Sequence, residues 1–163
     1  MGEPKIHSNG IVDVDFGEGV TLVEPVNLYG CTLGNEVFVG PFVEIQRRTS
    51  IGARTRVQSH AFICELVTIG EDCFISHGAM FINDPFKIGG PARGDQTQWK
   101  ETHIGNRVSI GTNATIMPVS ICDDVVVGAG SVVTKDITES GIYAGPTPSE
   151  SISRLGESFF LTF

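Results

Sequence analysis

The sequence predicts an all-β solenoid built from three-sided coils, on three observations. Ile and Val number 33 against 6 Leu, a branched excess that favours strands over helices. The 20 glycines among 163 residues are scattered rather than clustered, which reads as backbone corners that recur and not as a linker. Apolar residues then fall six apart without interruption at Leu33, Val39, Ile45, Ile51, Val57, Ile63, Ile69, Ile75 and Phe81. A period of six fits neither the 3.6 of a helix nor simple hairpin alternation. It fits a short strand plus a turn, one side of a triangular coil, so that three hexads make a coil of 18 residues.

Taken in order, the chain opens with a ragged run, Phe16, Leu22 and Leu28, that steps five residues to Leu33 and joins the regular series. The hexads stop after Phe81, resume at Ile104, Ile110 and Ile116, lose one residue across Met117-Pro118-Val119-Ser120, and continue through Ile121, Val127 and Val133. The corner at the lost residue carries no Gly and is expected to be tightened or bulged. Gly follows many of the apolar positions, as at Gly34, Gly52, Gly70, Gly105 and Gly111, and a small or branched residue stands four positions on, as at Val37, Val43, Thr49, Thr55, Ala61, Val67 and Cys73. Ile51, Ile69 and Ile110 are expected in the core. One domain spans 1–163, with a loop insertion over 83–103 and a C-terminal extension over 138–163 in which Ser149 or Ser151 caps at most a short helix.

The formal net charge of −8 argues against a duplex nucleic-acid binder, which needs a basic face. No stretch approaches the roughly 18 apolar residues of a membrane span, and the first residues lack the apolar core of a signal peptide, so the protein is expected in the cytoplasm. Cys31, Cys64, Cys73 and Cys122 form no CxxC pair and read as reduced, packed thiols.

These hexads, an aliphatic residue followed by Gly, two free positions and a small residue, resemble those of the hexapeptide-repeat acyltransferases, over residues from about 16 to 148. IGTNAT and VGAGSVVTKDI are the stretches most specific to that family. The resemblance implies a left-handed parallel β-helix, a homotrimer with sites between subunits, and acetyl-CoA as co-substrate. Gly145-Pro146-Thr147-Pro148 stands where relatives have a GNPA-type turn and departs from it.

The long loop NDPFKIGGPARGDQTQWKETH interrupts the repeat and carries the only Trp, Trp99, a residue costly to leave in water. Its entrance, Phe81-Ile82-Asn83-Asp84, resembles the FTN segment of nucleotide-sugar N-acetyltransferases. Sugar and xenobiotic O-acetyltransferases of the same fold tend to place a catalytic His directly after that Asn, and here the residue is Asp84. An alcohol needs a base as it attacks a thioester, whereas a free amine is already a nucleophile, so the missing His favours an amine acceptor. Asn83 either positions the substrate through its amide or simply opens the turn. Asp84 either meets the ammonium form or sugar hydroxyls, or caps the turn before Pro85.

His60 and His77, 17 residues apart, are expected near each other on one edge, either as proton acceptors or as interface residues. His103 ends the loop and His7 is peripheral. For acetyl-CoA, Gly111, Ala129 and Gly130 match positions where the family's pantetheine arm runs along the coils, and Lys135 is placed to meet the CoA phosphates. Arg47, Arg48, Arg54 and Arg56 form the densest basic cluster in the sequence, either a nucleotide pyrophosphate site or a solvated face; Arg47 and Arg48, with Trp99, are the expected substrate contacts. Gamma-type carbonic anhydrases share the implied fold but bind zinc through three His, two of them five residues apart; that pair is missing and no metal is expected. The expected function is acetyl transfer to the amino group of a nucleotide-linked amino sugar. An O-acetyltransferase using His60 or His77 and a catalytically silent β-helix scaffold remain as alternatives.

Overall fold

The computed structural model describes Pro4 and residues 10–146; His7 and the tail expected to hold a short helix lie outside the described residues. The described chain winds into a parallel β-helix of seven coils whose strands stack into three parallel sheets. The first sheet contains Ile11–Val12, Asn27–Tyr29, Glu44–Ile45, Phe62–Ile63, Met80–Phe81, Thr115–Ile116 and Val132–Val133. The second holds Asp15–Phe16, Thr32–Leu33, Ser50–Ile51, Val67–Ile69, Thr102–Ile104 and Ser120–Ile121. The third holds Thr21–Leu22, Phe38–Val39, Arg56–Val57, Phe74–Ile75, Ser109–Ile110, Val125–Val127 and Gly141–Tyr143.

Each hexad supplies one strand, and the hexad one coil on supplies its neighbour, 17 or 18 residues later in most coils and 35 later where the insertion intervenes. Ile51, Ile69, Ile104 and Ile121 therefore pair in register along the second sheet. Strands so short have no stability alone. They persist because their backbones hydrogen-bond to the neighbouring coils, and because one large apolar side chain per strand is turned inward. The hexad positions from Leu33 to Phe81 are all buried, as are Ile110 and Ile116, together with the second series at Val37, Val43, Ala61, Val67 and Cys73. Two threonines of that series also point inward, and their hydroxyls are satisfied by the carbonyls of Cys64, at 3.0 Å from Thr49 Oγ1, and Gly70, at 2.9 Å from Thr55 Oγ1.

The ragged start of the repeat has a physical counterpart. Phe16, at a core position of the first described coil, is 46% exposed, because no described coil covers its other side. The five-residue step at Met117–Ser120 leaves the strand register intact: His103 still faces Ser120, Ile104 faces Ile121, and Val119 stays buried. The missing residue is absorbed in the corner, as the sequence requires.

The outward faces differ. The second sheet presents Thr32, Ser50, Thr68, His103 and Ser120, all exposed. The first presents Phe62, Met80 and Val132 alongside Asn27, Glu44 and Thr115, and the third Phe38, Phe74, Val126 and Ile142 alongside Thr21, Arg56 and Ser109.

Candidate active site

Three edges join the sheets, and the functional candidates sort onto them. On the first edge, where the first sheet hands over to the second, lie Arg47, Arg48, Glu65, Asn83 and Lys135. The third edge, from the third sheet back to the first, carries Phe42, Ser59, His60, His77, Gly111, Thr112, Ala129 and Gly130. Within one chain, Asn83 and the two histidines thus stand on different edges, while the histidines and three of the four expected acetyl-CoA positions share one.

The insertion leaves the first edge after Met80–Phe81 and rejoins at Thr102–Ile104. It is an organised element. Asp84 is its hub: Oδ1 accepts from Phe86 N at 2.9 Å and Oδ2 from Ala92 N at 2.7 Å, with Ala92 buried. Of the two roles open to Asp84 from sequence, the geometry displays the turn-capping one. Asp95 accepts from Thr97 N and caps the 3-10 turn Gln96–Gln98, which delivers half-buried Trp99 as its C-cap. The base is closed by Lys100 N donating to Asn83 O at 2.9 Å. Asn83 is half-buried; its Nδ2 donates to Glu65 O at 3.2 Å, and Oδ1 has no partner among the described residues.

Below Asn83 stands an ion cluster that sequence reading missed. Glu65 is buried and accepts from Arg48 at 2.6 Å, with Arg47 at a looser 3.7 Å. The Arg47 guanidinium also lies 5.6 Å from the centre of the Tyr29 ring. Arg48 is therefore committed to Glu65, and Arg47 is the freer cation. The signal available in the sequence was the 17-residue spacing of Arg48 and Glu65.

The four arginines do not form one patch, because six residues on this fold turn the chain through a third of a coil. Arg54 lies on the second edge, from the second sheet to the third, held by Asp72 at 2.7 Å and Glu71 at 2.7 Å. Arg56 projects from the third sheet over the Phe38 ring at 4.2 Å. Higher on the second edge Arg107 repeats the arrangement with Asp124 at 2.7 Å, and these pairings hold Asp72 and Asp124 below the usual carboxylate range.

On the third edge the histidines differ in environment. His60 stacks on Phe42, ring centres 4.9 Å apart and planes 13° from parallel. His77 Nδ1 lies 2.8 Å from Ser59 Oγ. His103 is on the outer face of the second sheet, 3.2 Å from Glu101. Further along the edge Gly111 is required by packing, since a Cβ there would sit 2.5 Å from Ala129 N; Gly130, with φ of 68°, meets nothing within 4 Å of such a Cβ. The space beside exposed Ala129 and Gly130 is open. Lys135 is exposed on the first edge, away from these residues. Among the described residues no group of three or more His, Cys, Asp or Glu has the geometry to hold a metal ion, and no helix is long and apolar enough to cross a membrane.

Parallel coils of six-residue units stacked into three sheets define a hexapeptide-repeat fold. A family model described as hexapeptide repeat of succinyl-transferase matches residues 101–135. The bifunctional protein GlmU of Acinetobacter baumannii is 33% identical over 114 residues, which is 69% of this chain but 22% of that protein. The chain thus spans under a quarter of that relative's length. Among solved structures, the N-acyltransferase AntD of Bacillus cereus, in complex with dTDP and coenzyme A, superposes with a TM-score of 0.75 at 21% identity, covering 86% of this chain and 83% of that one. Perosamine N-acetyltransferase of Caulobacter crescentus, in complex with CoA and GDP-perosamine, gives 0.56 at 20% identity over 84% of this chain and 54% of that one. The chain carries the hexapeptide repeat over residues 101–135 and shares the β-helical fold of these proteins.

Proposed function

We propose that this protein transfers the acetyl group of acetyl-CoA to the amino group of a nucleotide-linked amino sugar, as a step in surface polysaccharide biosynthesis. One observation carries the preference for an amine: the loop entrance presents Asn83 alone. The residue after it is Asp84, and both its carboxylate oxygens are already taken by backbone amides of the loop. No base stands there to activate an alcohol. With Nδ2 tied to Glu65 O, Asn83 offers Oδ1 as an acceptor for an N–H of the attacking amine. The amine nitrogen bonds to the thioester carbonyl carbon, a backbone N–H stabilises the oxyanion, and the C–S bond breaks to release CoA. Arg47 is the cation for the nucleotide phosphates, with Trp99 at the sugar, and the open third edge at Ala129 and Gly130 is the groove for the pantetheine arm.

The sharing of the site between copies of the chain follows from the same reading. Asn83 and His77 stand on different edges, so a cytoplasmic homotrimer would bring the first edge of one copy to the third edge of the next. The test is steady-state kinetics on paired UDP- and dTDP-linked amino and hydroxyl sugars, with thiol release as the readout. The amino sugar should be much the faster substrate, and Asn83→Ala should lower its rate by roughly tenfold or more. A hydroxyl sugar as the better substrate would transfer the assignment to O-acetylation; failure of acetyl-CoA to raise the melting temperature would leave only the scaffold.

A further inference from the structure

Two adjacent arginines on the first edge have one carboxylate between them, and they share it unequally. Arg48 places Nη2 at 2.6 Å and Nε at 3.2 Å from Glu65 Oε2, whereas Arg47 Nε stands 3.7 Å from Oε1. The Glu65 side chain is 11% exposed, against 46% for Arg48 and 59% for Arg47, so the carboxylate is the member of the trio that water serves least. Its burial comes from above, where the root of the insertion lies on this corner. Asn83 Nδ2 donates to Glu65 O at 3.2 Å, and Thr102 N donates to Leu66 O at 3.0 Å. From below, Glu65 N donates to Gln46 Oε1 at 3.3 Å, and Gln46 Nε2 donates in turn to Glu44 Oε1 at 2.8 Å. Glu65 is held at its N–H, its C=O and its side chain, and its charge stays where a cation must meet it.

The arginines are built differently. Arg48 occupies the corner itself, with φ of 59° and its N–H donating to Gly30 O at 2.7 Å, and turns two donors onto one oxygen. The stem of Arg47 passes over Gly30, where a Cβ would come 2.8 Å from Arg47 Cβ, and its guanidinium rests 5.6 Å from the centre of the Tyr29 ring. That contact leaves N–H donors for a ligand.

We infer that Arg48 is a positioning residue: by neutralising Glu65 it keeps Arg47 free for the diphosphate of a nucleoside diphosphate, and without it Arg47 is drawn onto Glu65. The inference rests on the nucleotide-sugar reading above. A buried carboxylate stripped of its partner costs more than an exposed, screened contact returns, so the nearest cation moves to it. Arg47 Nε has only about 0.9 Å to travel to reach a charge-assisted distance of about 2.8 Å.

The test is calorimetric binding of inorganic pyrophosphate, UDP, dTDP and GDP to the full chain, with melting curves to establish folding. For the probes that the wild type binds, Arg47→Ala should weaken affinity about tenfold. Arg48→Ala should weaken it about as much without removing a ligand contact. Adding Glu65→Gln to Arg48→Ala should restore affinity to within about twofold of the wild type, and Arg48→Lys, which keeps a cation on Glu65, should also stay close to it. Rescue by the second substitution separates charge competition from general damage to the corner. A folded Arg48→Ala that binds like the wild type overturns the inference. So does a double variant as weak as Arg47→Ala, since Arg48 would then touch the phosphates itself. The double variant leaves no buried charge unpaired, so it decides the matter even where Arg48→Ala does not fold. A wild type that binds none of the four probes overturns the assignment of Arg47 and the inference with it. Binding with the expected rescue but no acetyl transfer to any amino sugar overturns the transfer reading alone and leaves the role of Arg48 standing.

Discussion

Replacing Gly52 by Ala tests whether the second edge is held by backbone packing. A Cβ at Gly52 would lie 2.5 Å from the Gly70 carbonyl oxygen and 2.7 Å from Glu71 N, both backbone atoms of the next coil, where ordinary contact begins at 3.4 Å. Relieving an overlap of about 0.9 Å by separating the coils would stretch the Gly52 N to Ile69 O hydrogen bond from 2.8 Å to beyond 3.5 Å, and that bond would be lost. Overpacking of this kind costs about 1–3 kcal/mol and the lost bond about 1 more. A total near 3 kcal/mol corresponds to a fall in Tm of roughly 6–12 °C for a chain of this size. Gly130→Ala is the matched control: nothing occupies the space, and Asn113, His60 and Phe42 already hold positive φ at equivalent corners, so its cost should be that of the left-handed backbone alone, about 1–2 kcal/mol. Thermal and urea unfolding of both variants decide the matter. Gly52→Ala melting with the wild type, or Gly130→Ala proving the more damaging, would refute the packing argument.

Two further outcomes concern pH. Burial pushes the Cys31 thiol up to about 11 and the Cys64 thiol up to about 12, so both should resist a thiol-specific reagent in the native state; because the folded values lie above the unfolded value of about 8.5, stability should be full below that pH and decline as pH rises toward 11–12, read by urea midpoints at successive pH values. Asp72 and Asp124 are depressed by Arg54 and Arg107, so their stabilising contribution is present above the unfolded value of about 3.9 and lost as pH falls through the lower folded values; the double variant Arg54→Ala, Arg107→Ala should unfold at a higher pH on acid titration, by a modest margin because the pairs are exposed.

The coil was legible because its rule is local: an aliphatic every sixth residue is an inward side chain every strand, and from Leu33 to Phe81 each such position is buried. What was not legible depends on the third dimension of the coil. Arg47, Arg48, Arg54 and Arg56 are neighbours in sequence yet point from two edges and a sheet face, while Arg48 and Glu65, or Ser59 and His77, look unrelated until the coil length is used as a ruler. Asp84 illustrates a different gap. Its two acceptor oxygens serve Phe86 N and Ala92 N, and no periodicity encodes which amides of an irregular loop will turn toward a carboxylate.

The insertion departs from and returns to a single corner, closed at its root by Lys100 N on Asn83 O, while Phe81 remains in register with Ile116 and Ile69 with Ile104. The coil is therefore indifferent to what is hung at that corner. A lineage carrying this architecture is free to lengthen, shorten or exchange the appendage by recombination without re-solving the folding problem of the scaffold. Its chemistry and its mechanical frame can drift at separate rates, with Asn83 as the seam between them.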